Sequence, residues 1–127
     1  MASPNDRRYS ESHEWFEVQG DMVTMGITKY AADELTDITY VELKPTGTTV
    51  KAGGPIGEVE SVKTTSDVYS AVAGTIVEVN KAVTQDPSIL NSDPFSKGWL
   101  VKIRTTDASA LKNLMDQATY DRKHPVT

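Results

Sequence analysis

The sequence has no cysteine and only two histidines among its 127 residues. Without cysteine the chain cannot form disulfides, thiolate metal sites or a cysteine nucleophile, so any redox-active sulfur must come from a cofactor. His13 and His124 are far apart in the sequence and lack the spacing of zinc ligands. The sequence therefore predicts neither a disulfide scaffold nor a metal site.

Long apolar runs are also missing. No stretch approaches the roughly 20 apolar residues that a membrane-spanning helix needs, and no apolar core of a signal peptide follows the polar start. The net charge of -5 and the pI of about 4.9 repel nucleic-acid backbones and favour basic partner surfaces. We therefore expect no membrane and no nucleic-acid partner.

Catalytic groups in recognisable combinations are missing as well. The serines and threonines near Lys63 have no neighbouring histidine, and Glu58, Glu60 and Asp67 are interpreted as a solvated acidic face. Gly53-Gly54 leads into a proline and a strand instead of a helix, unlike a phosphate-binding loop. The sequence predicts that the protein is not an enzyme.

The chain does contain many short β segments separated by turn residues. Its length suits one domain, which we place at residues 9–127 after a flexible N-terminal arm at 1–8. The alternating segments predict a mainly β sandwich or small barrel, with a short helix after Thr28 and a long loop at 80–98. A C-terminal helix at about 107–118 is predicted from an apolar stripe. The stripe consists of Leu111, Leu114, Met115 and Ala118.

Two of the β segments surround one lysine. They lie at about 56–62 and 68–72, and the residues from Thr64 to Asp67 are too polar to belong to a core. This pattern predicts a β-hairpin with Lys63 exposed at or beside its tip.

The same stretch carries a family resemblance. Glu60-Ser61-Val62-Lys63, followed by Thr64-Thr65-Ser66-Asp67-Val68, resembles the lipoyl-attachment segment of the glycine cleavage H-protein family. The further matching segments are Ser12-His13-Glu14-Trp15, Gly26-Ile27-Thr28, and Asn91-Ser92-Asp93-Pro94 with Gly98-Trp99-Leu100. The resemblance runs from about residue 9 to about residue 115. It implies a flattened β barrel-sandwich hybrid of the lipoyl and biotinyl domain type, with lipoate attached covalently to Lys63.

The resemblance also implies partners. Glycine decarboxylase, which uses pyridoxal phosphate, would load an aminomethyl group onto the lipoyl arm. The tetrahydrofolate-dependent aminomethyltransferase would take the methylene group and release ammonia, and dihydrolipoyl dehydrogenase would reoxidise the dithiol. A lipoate ligase or lipoyltransferase would install the cofactor. We expect a monomer in the cytoplasm, or in the mitochondrial matrix if the chain is a processed eukaryotic one.

In this family the loaded arm can fold back into a surface cleft. The resemblance assigns Ser12, Glu14 and Asp67 to that cleft, with Ile27 and Leu35 as apolar walls. Trp15, by contrast, is expected in the core, because large aromatic residues are mostly buried.

The chain departs from the family pattern at two positions. Ala71 stands where relatives often have proline, and Thr36 stands where glycine is common. These departures bear on the rigidity of the turn and on the cleft rim at Glu34, and neither touches Lys63.

Two alternatives are disfavoured by the residues around the lysine, and two others stay open. A biotin carrier usually has methionines on both sides of the lysine, and a 2-oxo acid dehydrogenase lipoyl domain usually has Asp-Lys-Ala, whereas this chain has Val62-Lys63-Thr64. A lipoyl relay protein that passes lipoate to other enzymes would use the same exposed lysine. A non-carrier interaction module would not need Lys63 at all.

Overall fold

Alternating apolar residues build two antiparallel sheets that face each other across one core. The structure is a computed structural model and describes residues 3–125. Within that range the strands are β1 (Arg8–Tyr9), β2 (Glu14–Gln19), β3 (Met22–Ile27), β4 (Ile38–Leu43), β5 (Thr49–Val50), β6 (Pro55–Ser61), β7 (Thr65–Tyr69), β8 (Gly74–Val79) and β9 (Val101–Arg104). The helices are α1 (Lys29–Leu35), α2 (Lys81–Gln85), α3 (Ile89–Ser92) and α4 (Gln117–Lys123), with a 3-10 helix at Ser109–Asn113.

The larger sheet has the strand order β1-β2-β3-β9-β8-β5, and the smaller one has the order β4-β6-β7. Val23 and Met25 of the larger sheet share a core cluster with Val41, Val59 and Val68 of the smaller sheet. Because side chains alternate between the two faces of a strand, each sheet buries one face and leaves the other polar. The predicted mainly β fold is confirmed.

Helix α1 begins where the sequence indicates. Thr28 is its N-cap, and the Thr28 hydroxyl accepts a hydrogen bond from the Ala31 backbone N–H at 3.2 Å. The helix ends after two turns at Thr36, whose φ of 64° is left-handed. At this position a glycine would adopt the backbone conformation without strain.

The C-terminal region differs from the prediction. In place of one helix at about 107–118 there is a 3-10 helix at Ser109–Asn113, an extended stretch, and then α4 at Gln117–Lys123. Met115 exchanges two backbone hydrogen bonds with Tyr9, at 2.9 and 3.0 Å, so the chain is extended within the range of the predicted helix. The apolar stripe divides between two cores, because Leu111 belongs to the sheet core and Met115 packs on an aromatic cluster. Asp116 is the N-cap of α4 and accepts from Thr119 N–H at 2.9 Å.

The N-terminal segment and the predicted long loop also differ. Residues 3–8 pack on the body: Ser3 donates to Asp121 at 2.6 Å, the Arg7 guanidinium lies 4.2 Å from the Trp15 ring centroid, and Arg8 is in β1. The stretch at 80–98 contains α2 and α3. Each of these helices is too short to produce a helical periodicity that the sequence alone would reveal.

A second core cluster holds the termini together. It contains Tyr9, Trp15, Phe95 and Tyr120. Trp15 is 1% exposed, as predicted, and its indole N–H donates to Pro94 O at 2.9 Å. Tyr9 and Tyr120 stack with ring centroids 4.8 Å apart, which seats α4 against β1.

His13 lies at the edge of this cluster. Its Nδ1 is 2.8 Å from the Tyr120 hydroxyl, and its ring is 4.6 Å from the rings of both Tyr30 and His124. Burial lowers the pKa of His13, and the neighbouring His124 lowers it further, against the opposing effects of Glu11 and Glu34. The folded protein therefore favours a neutral His13.

This environment predicts a pH dependence of stability. The pKa of His13 is lower in the folded state than its ordinary value of 6.5, so the unfolded chain binds the proton more tightly. The free energy of unfolding should therefore fall as the pH drops below about 6.5. Urea denaturation of the wild type and of His13→Asn, between about pH 7.5 and pH 5, measures the effect. Asparagine tolerates the positive φ of 71° at this position. The variant should show a shallower loss toward low pH, and an identical slope would contradict the prediction.

A second prediction concerns Gly74, where β8 passes close to β9. A Cβ at this position would lie 2.2 Å from Arg104 O and 2.7 Å from the Ile103 side chain. Gly74→Ala should therefore lower the free energy of unfolding by roughly 2–3 kcal/mol, because a backbone atom must move. The matched control is Gly54→Ala, whose Cβ would be 3.1 Å from Lys51 O and which should change stability by less than about 1 kcal/mol. Equal losses in the two variants would show that the close approach is not the cause.

Candidate functional site

Lys63 lies at the tip of the hairpin formed by β6 and β7. The last paired residues are Glu60 and Thr65, and Ser61 N–H donates to Thr64 O at 2.8 Å to close the turn. The Ser61 hydroxyl oxygen accepts from the backbone N–H groups of Lys63 and Thr64, at 3.1 and 3.2 Å. These bonds fix the backbone of the turn, while Val62, Lys63 and Thr64 remain exposed. The expected position of the lysine is thus observed, with strands at 55–61 and 65–69 rather than 56–62 and 68–72.

The Lys63 side chain reaches toward helix α1. Its ammonium group donates to the backbone carbonyl of Glu34 at 3.2 Å. This carbonyl is in the last turn of α1, where carbonyl groups lack partners within the helix and carry partial negative charge. The lysine is therefore directed over the end of α1 and stays open to solvent.

Glu14 is the most constrained polar group near the hairpin. It begins β2, is 2% exposed, and accepts hydrogen bonds through both carboxylate oxygens. Oε1 accepts from the hydroxyls of Ser10 and Ser12, each at 2.5 Å, and Oε2 accepts from Tyr69 N–H at 3.0 Å. Burial raises the pKa of Glu14, while the hydrogen bonds from Ser10, Ser12 and Tyr69 oppose that rise. The carboxylate is thus a buried acceptor that tolerates its charge only through these donors.

The backbone at His13 brings Ser12 and Glu14 together. His13 has a φ of 71°, a left-handed conformation that costs a non-glycine residue roughly 1–2 kcal/mol. In a regular strand two residues flanking a third point to the same face but stay apart, whereas this turn brings the Ser12 hydroxyl onto the Glu14 carboxylate. Ser12 itself is exposed. The Ser12 hydroxyl therefore covers Glu14 Oε1 at the protein surface.

Asp67 is not in contact with Ser12 or Glu14. It is exposed on the outer face of the smaller sheet, directly across from Glu58, and both line a groove with Glu42 and Leu43. Its link to Glu14 runs through Tyr69, whose phenol lies 3.4 Å from Asp67 Oδ2 and whose backbone N–H binds Glu14. Two of the three predicted cleft residues, Ser12 and Glu14, are therefore in direct contact. Asp67 is connected to Glu14 only through Tyr69.

The two predicted apolar walls, Ile27 and Leu35, both contribute to the sheet core. Ile27 is directly across from Glu14 in the β2–β3 pair and is 4% exposed. Leu35 and Ala31 of α1 are half-buried and pack on the sheet core. Thr65 and Tyr69 mark the two ends of β7, roughly 13 Å apart at the rise of a β-strand. An arm attached to Lys63 would have to span about this distance to reach Glu14.

Two members of the Glu14 environment were missed from the sequence. Ser10 is a lone serine before the matched segment, and nothing in its neighbours marks it as a carboxylate ligand. Tyr69 contributes only its backbone N–H, which is free because β7 is an edge strand. A backbone donor of this kind leaves no pattern in the side chains of the sequence. It becomes evident only from the order of the strands in the sheet.

The described part of the chain offers neither a metal site nor a membrane-spanning helix. Residues 3–125 contain no group of three or more His, Asp or Glu side chains arranged to hold a metal ion. None of the helices in that range is long and apolar enough to span a membrane.

Comparison with known proteins places this geometry in a family. Residues 7–125 match the family model described as glycine cleavage H-protein. The chain is 44% identical over 121 residues to the glycine cleavage system H protein of Bacillus licheniformis, covering 95% of each chain. It is also 44% identical over 117 residues to glycine cleavage system H protein 2, mitochondrial, of Arabidopsis thaliana, covering 92% of this chain and 75% of the relative.

A solved structure agrees with these sequence matches. The crystal structure of a glycine cleavage system H protein from Mycobacterium marinum superposes with a TM-score of 0.88 at 38% identity, over 98% of this chain and 100% of that one. The lipoyl-domain-like barrel-sandwich fold expected from the sequence is confirmed by this match. The chain therefore belongs to the glycine cleavage H-protein family, the non-catalytic lipoyl carriers of the glycine cleavage system.

Proposed function

We propose that Lys63 is the residue of this chain that carries lipoate, through an amide bond to its side-chain nitrogen. The observation that carries this proposal is the position of Lys63, exposed at a turn whose backbone is fixed by the Ser61 hydroxyl. A ligase can reach the amine, while the strands behind it hold the attachment point still. The bound lipoate would supply a disulfide that opens on reduction and closes on oxidation.

The residues around Lys63 suit a tethered arm. An amide nitrogen in place of the ammonium loses its charge but keeps one N–H, which can still donate to the Glu34 carbonyl that the amine binds at 3.2 Å. A flexible arm on a rigid turn gives a local concentration on the order of millimolar at a docked active site. The hairpin thus supplies a fixed origin for the arm. The chain has no cysteine that could exchange with the lipoyl disulfide.

We further propose that Ser12 and Glu14 hold the end of the arm when it carries an amine. A protonated amine would form a charge-assisted hydrogen bond with the Glu14 carboxylate, which is strong because that carboxylate is buried. Ser12 is exposed and its hydroxyl can rotate away, since it bonds to Oε1 only from the solvent side. Asp67 would act at the outer rim, through its negative charge beside Tyr69.

The partners follow from membership in the glycine cleavage system. We propose that the arm visits glycine decarboxylase, the aminomethyltransferase and dihydrolipoyl dehydrogenase, and that a lipoate ligase or lipoyltransferase loads it. The chain would act as a monomer. Its compartment would be the cytoplasm in a bacterial cell. In a eukaryotic cell it would be the mitochondrial matrix.

Lipoylation tests the attachment site. Coexpression with a lipoate ligase and free lipoate should add the mass of one lipoyl group, measured by intact-protein mass spectrometry, because Lys63 is exposed and fixed. Lys63→Ala should abolish the addition. The control Lys44→Ala removes another exposed lysine and should leave the addition intact. Full modification of Lys63→Ala, or none of the wild type, would contradict the proposal.

An assay of the lipoylated protein also distinguishes a carrier of the glycine cleavage system from a lipoyl relay protein. Incubated with glycine decarboxylase, glycine and labelled bicarbonate, a glycine carrier should support exchange of carbon dioxide into glycine. A relay protein would accept lipoate without supporting the exchange.

A substitution at Glu14 tests the arm-holding site. Glu14→Gln removes the charge but keeps the shape, so lipoylation should be unchanged while ammonia is released from the amine-loaded protein roughly ten times faster. The matched control is Glu17→Gln on the same strand, where the carboxylate faces Arg7 at 3.8 Å instead of the cleft. An unchanged release rate in Glu14→Gln would remove Glu14 from the site.

A further inference from the structure

We propose that Tyr120 is a positioning residue of the Ser12–Glu14 site, acting from helix α4 through its hydroxyl bonds to His13 and Thr28. This inference rests on the proposed arm-holding function of Ser12 and Glu14. It assigns the C-terminal helix a role in the geometry of a site that it does not itself line.

The first step is the position of the Tyr120 hydroxyl. Tyr120 is fully buried, and its oxygen lies 2.8 Å from His13 Nδ1 and 2.7 Å from Thr28 Oγ1. His13 and Thr28 are also joined directly, since Thr28 N–H donates to His13 O at 3.1 Å. One phenol therefore connects the turn before β2 with the cap of helix α1. The first segment carries Ser12 and Glu14, and the second is the helix whose Glu34 carbonyl accepts from Lys63.

The second step is the proton arrangement in this chain. The Thr28 hydroxyl accepts from Ala31 N–H, so it can donate its own proton to the Tyr120 oxygen. Tyr120 then donates to His13 Nδ1 in the neutral tautomer that carries its proton on Nε2, in which Nδ1 is the acceptor. Burial raises the pKa of Tyr120 to about 12, so the phenol keeps the proton that it donates. The Thr28 and Tyr120 hydroxyls each accept one hydrogen bond and donate one, so removal of the phenol oxygen takes an acceptor from Thr28 and a donor from His13.

The third step is the strained backbone that this bond supports. His13 holds a φ of 71°, and the residues on either side of it carry the two side chains that meet, Ser12 Oγ on Glu14 Oε1 at 2.5 Å. Strained backbone persists only where the surroundings fix it. The His13 ring is fixed by the Tyr120 hydroxyl and by contacts with Tyr30 and His124. Without the hydroxyl the turn can relax, and Glu14 loses its alignment with Tyr69 N–H.

The fourth step concerns the contacts that hold helix α4 in place without the Tyr120 hydroxyl. Helix α4 is capped by Asp116, stacked through Tyr120 on Tyr9 at 4.8 Å, and tied through Asp121 to Ser3 at 2.6 Å. These contacts do not depend on the Tyr120 hydroxyl. A phenylalanine at position 120 would therefore keep the helix in place and remove only the bonds to His13 and Thr28.

The test compares Tyr120→Phe with Tyr9→Phe. Tyr9 is also fully buried, but its hydroxyl donates to Pro4 O at 2.5 Å and reaches neither His13 nor Thr28. In the unlipoylated protein, Tyr120→Phe should raise the hydrogen-exchange rate of the Tyr69 backbone amide about threefold to tenfold relative to the wild type. Tyr9→Phe should leave that rate within about twofold after correction for global stability. Equal rates in the two variants would overturn the proposal.

A second measurement uses the lipoylated, amine-loaded protein. Tyr120→Phe should speed the release of ammonia severalfold, and Tyr9→Phe should not. His13→Asn, which keeps the positive φ but cannot reach the phenol, should act in the same direction as Tyr120→Phe. The double variant should be no faster than the faster single variant, because both remove the same connection. Additive effects would contradict the connection through His13.

Glu14→Gln separates this inference from the proposed function. If Glu14→Gln speeds the release and Tyr120→Phe does not, the arm-holding site stands and the role of Tyr120 is wrong. If neither variant changes the release, the arm-holding site itself is wrong and this inference fails with it. Acceleration in both supports both.

Discussion

The hydrogen bond from Tyr69 N–H to Glu14 Oε2 links the two sheets at the proposed arm-holding site. Glu14 starts β2 in the larger sheet, and Tyr69 ends β7 at the free edge of the smaller sheet. A carboxylate buried to this degree would be costly alone, and the donors from Ser10, Ser12 and Tyr69 offset that cost. The unpaired N–H of the edge strand thereby has an acceptor, and the hydrogen bond stabilises the charged form of the carboxylate.

This link makes one strand serve both ends of the proposed arm. At its first residue, Thr65, β7 leaves the turn that presents Lys63, and at its last residue, Tyr69, it binds Glu14. The distance between attachment and resting site is therefore set by the length of a paired strand, roughly 13 Å, instead of by a loop. A paired strand does not stretch, so the proposed arm would always start at the same distance from the carboxylate. The flexibility would then be confined to that arm.

The sequence was sufficient for the parts that depend on local pattern. Alternation predicts the β body, Thr28 predicts the start of α1, and polar residues around Lys63 predict an exposed tip, all of which are observed. The C-terminal helix was misplaced because its apolar stripe serves two different cores, with Met115 paired to Tyr9 in extended form. An apolar stripe shows that residues are buried, but it does not show that they are buried in the same place.

The polar contacts of the site were less accessible to sequence reasoning. Ser12 and Glu14 were assigned by resemblance, yet their junction depends on the left-handed backbone of His13, which no local signal announces. The N–H of Tyr69 and the hydroxyl of Tyr120 come from elements 55 and 106 residues beyond Glu14. Such contacts exist only once both sheets and α4 are assembled, because each depends on long-range packing. The same long-range packing connects the proposed arm-holding site to α4. Under our proposal, a change that loosens α4 would affect Glu14 through the hydrogen bond between Tyr120 and His13, although α4 makes no hydrogen bond to the carboxylate.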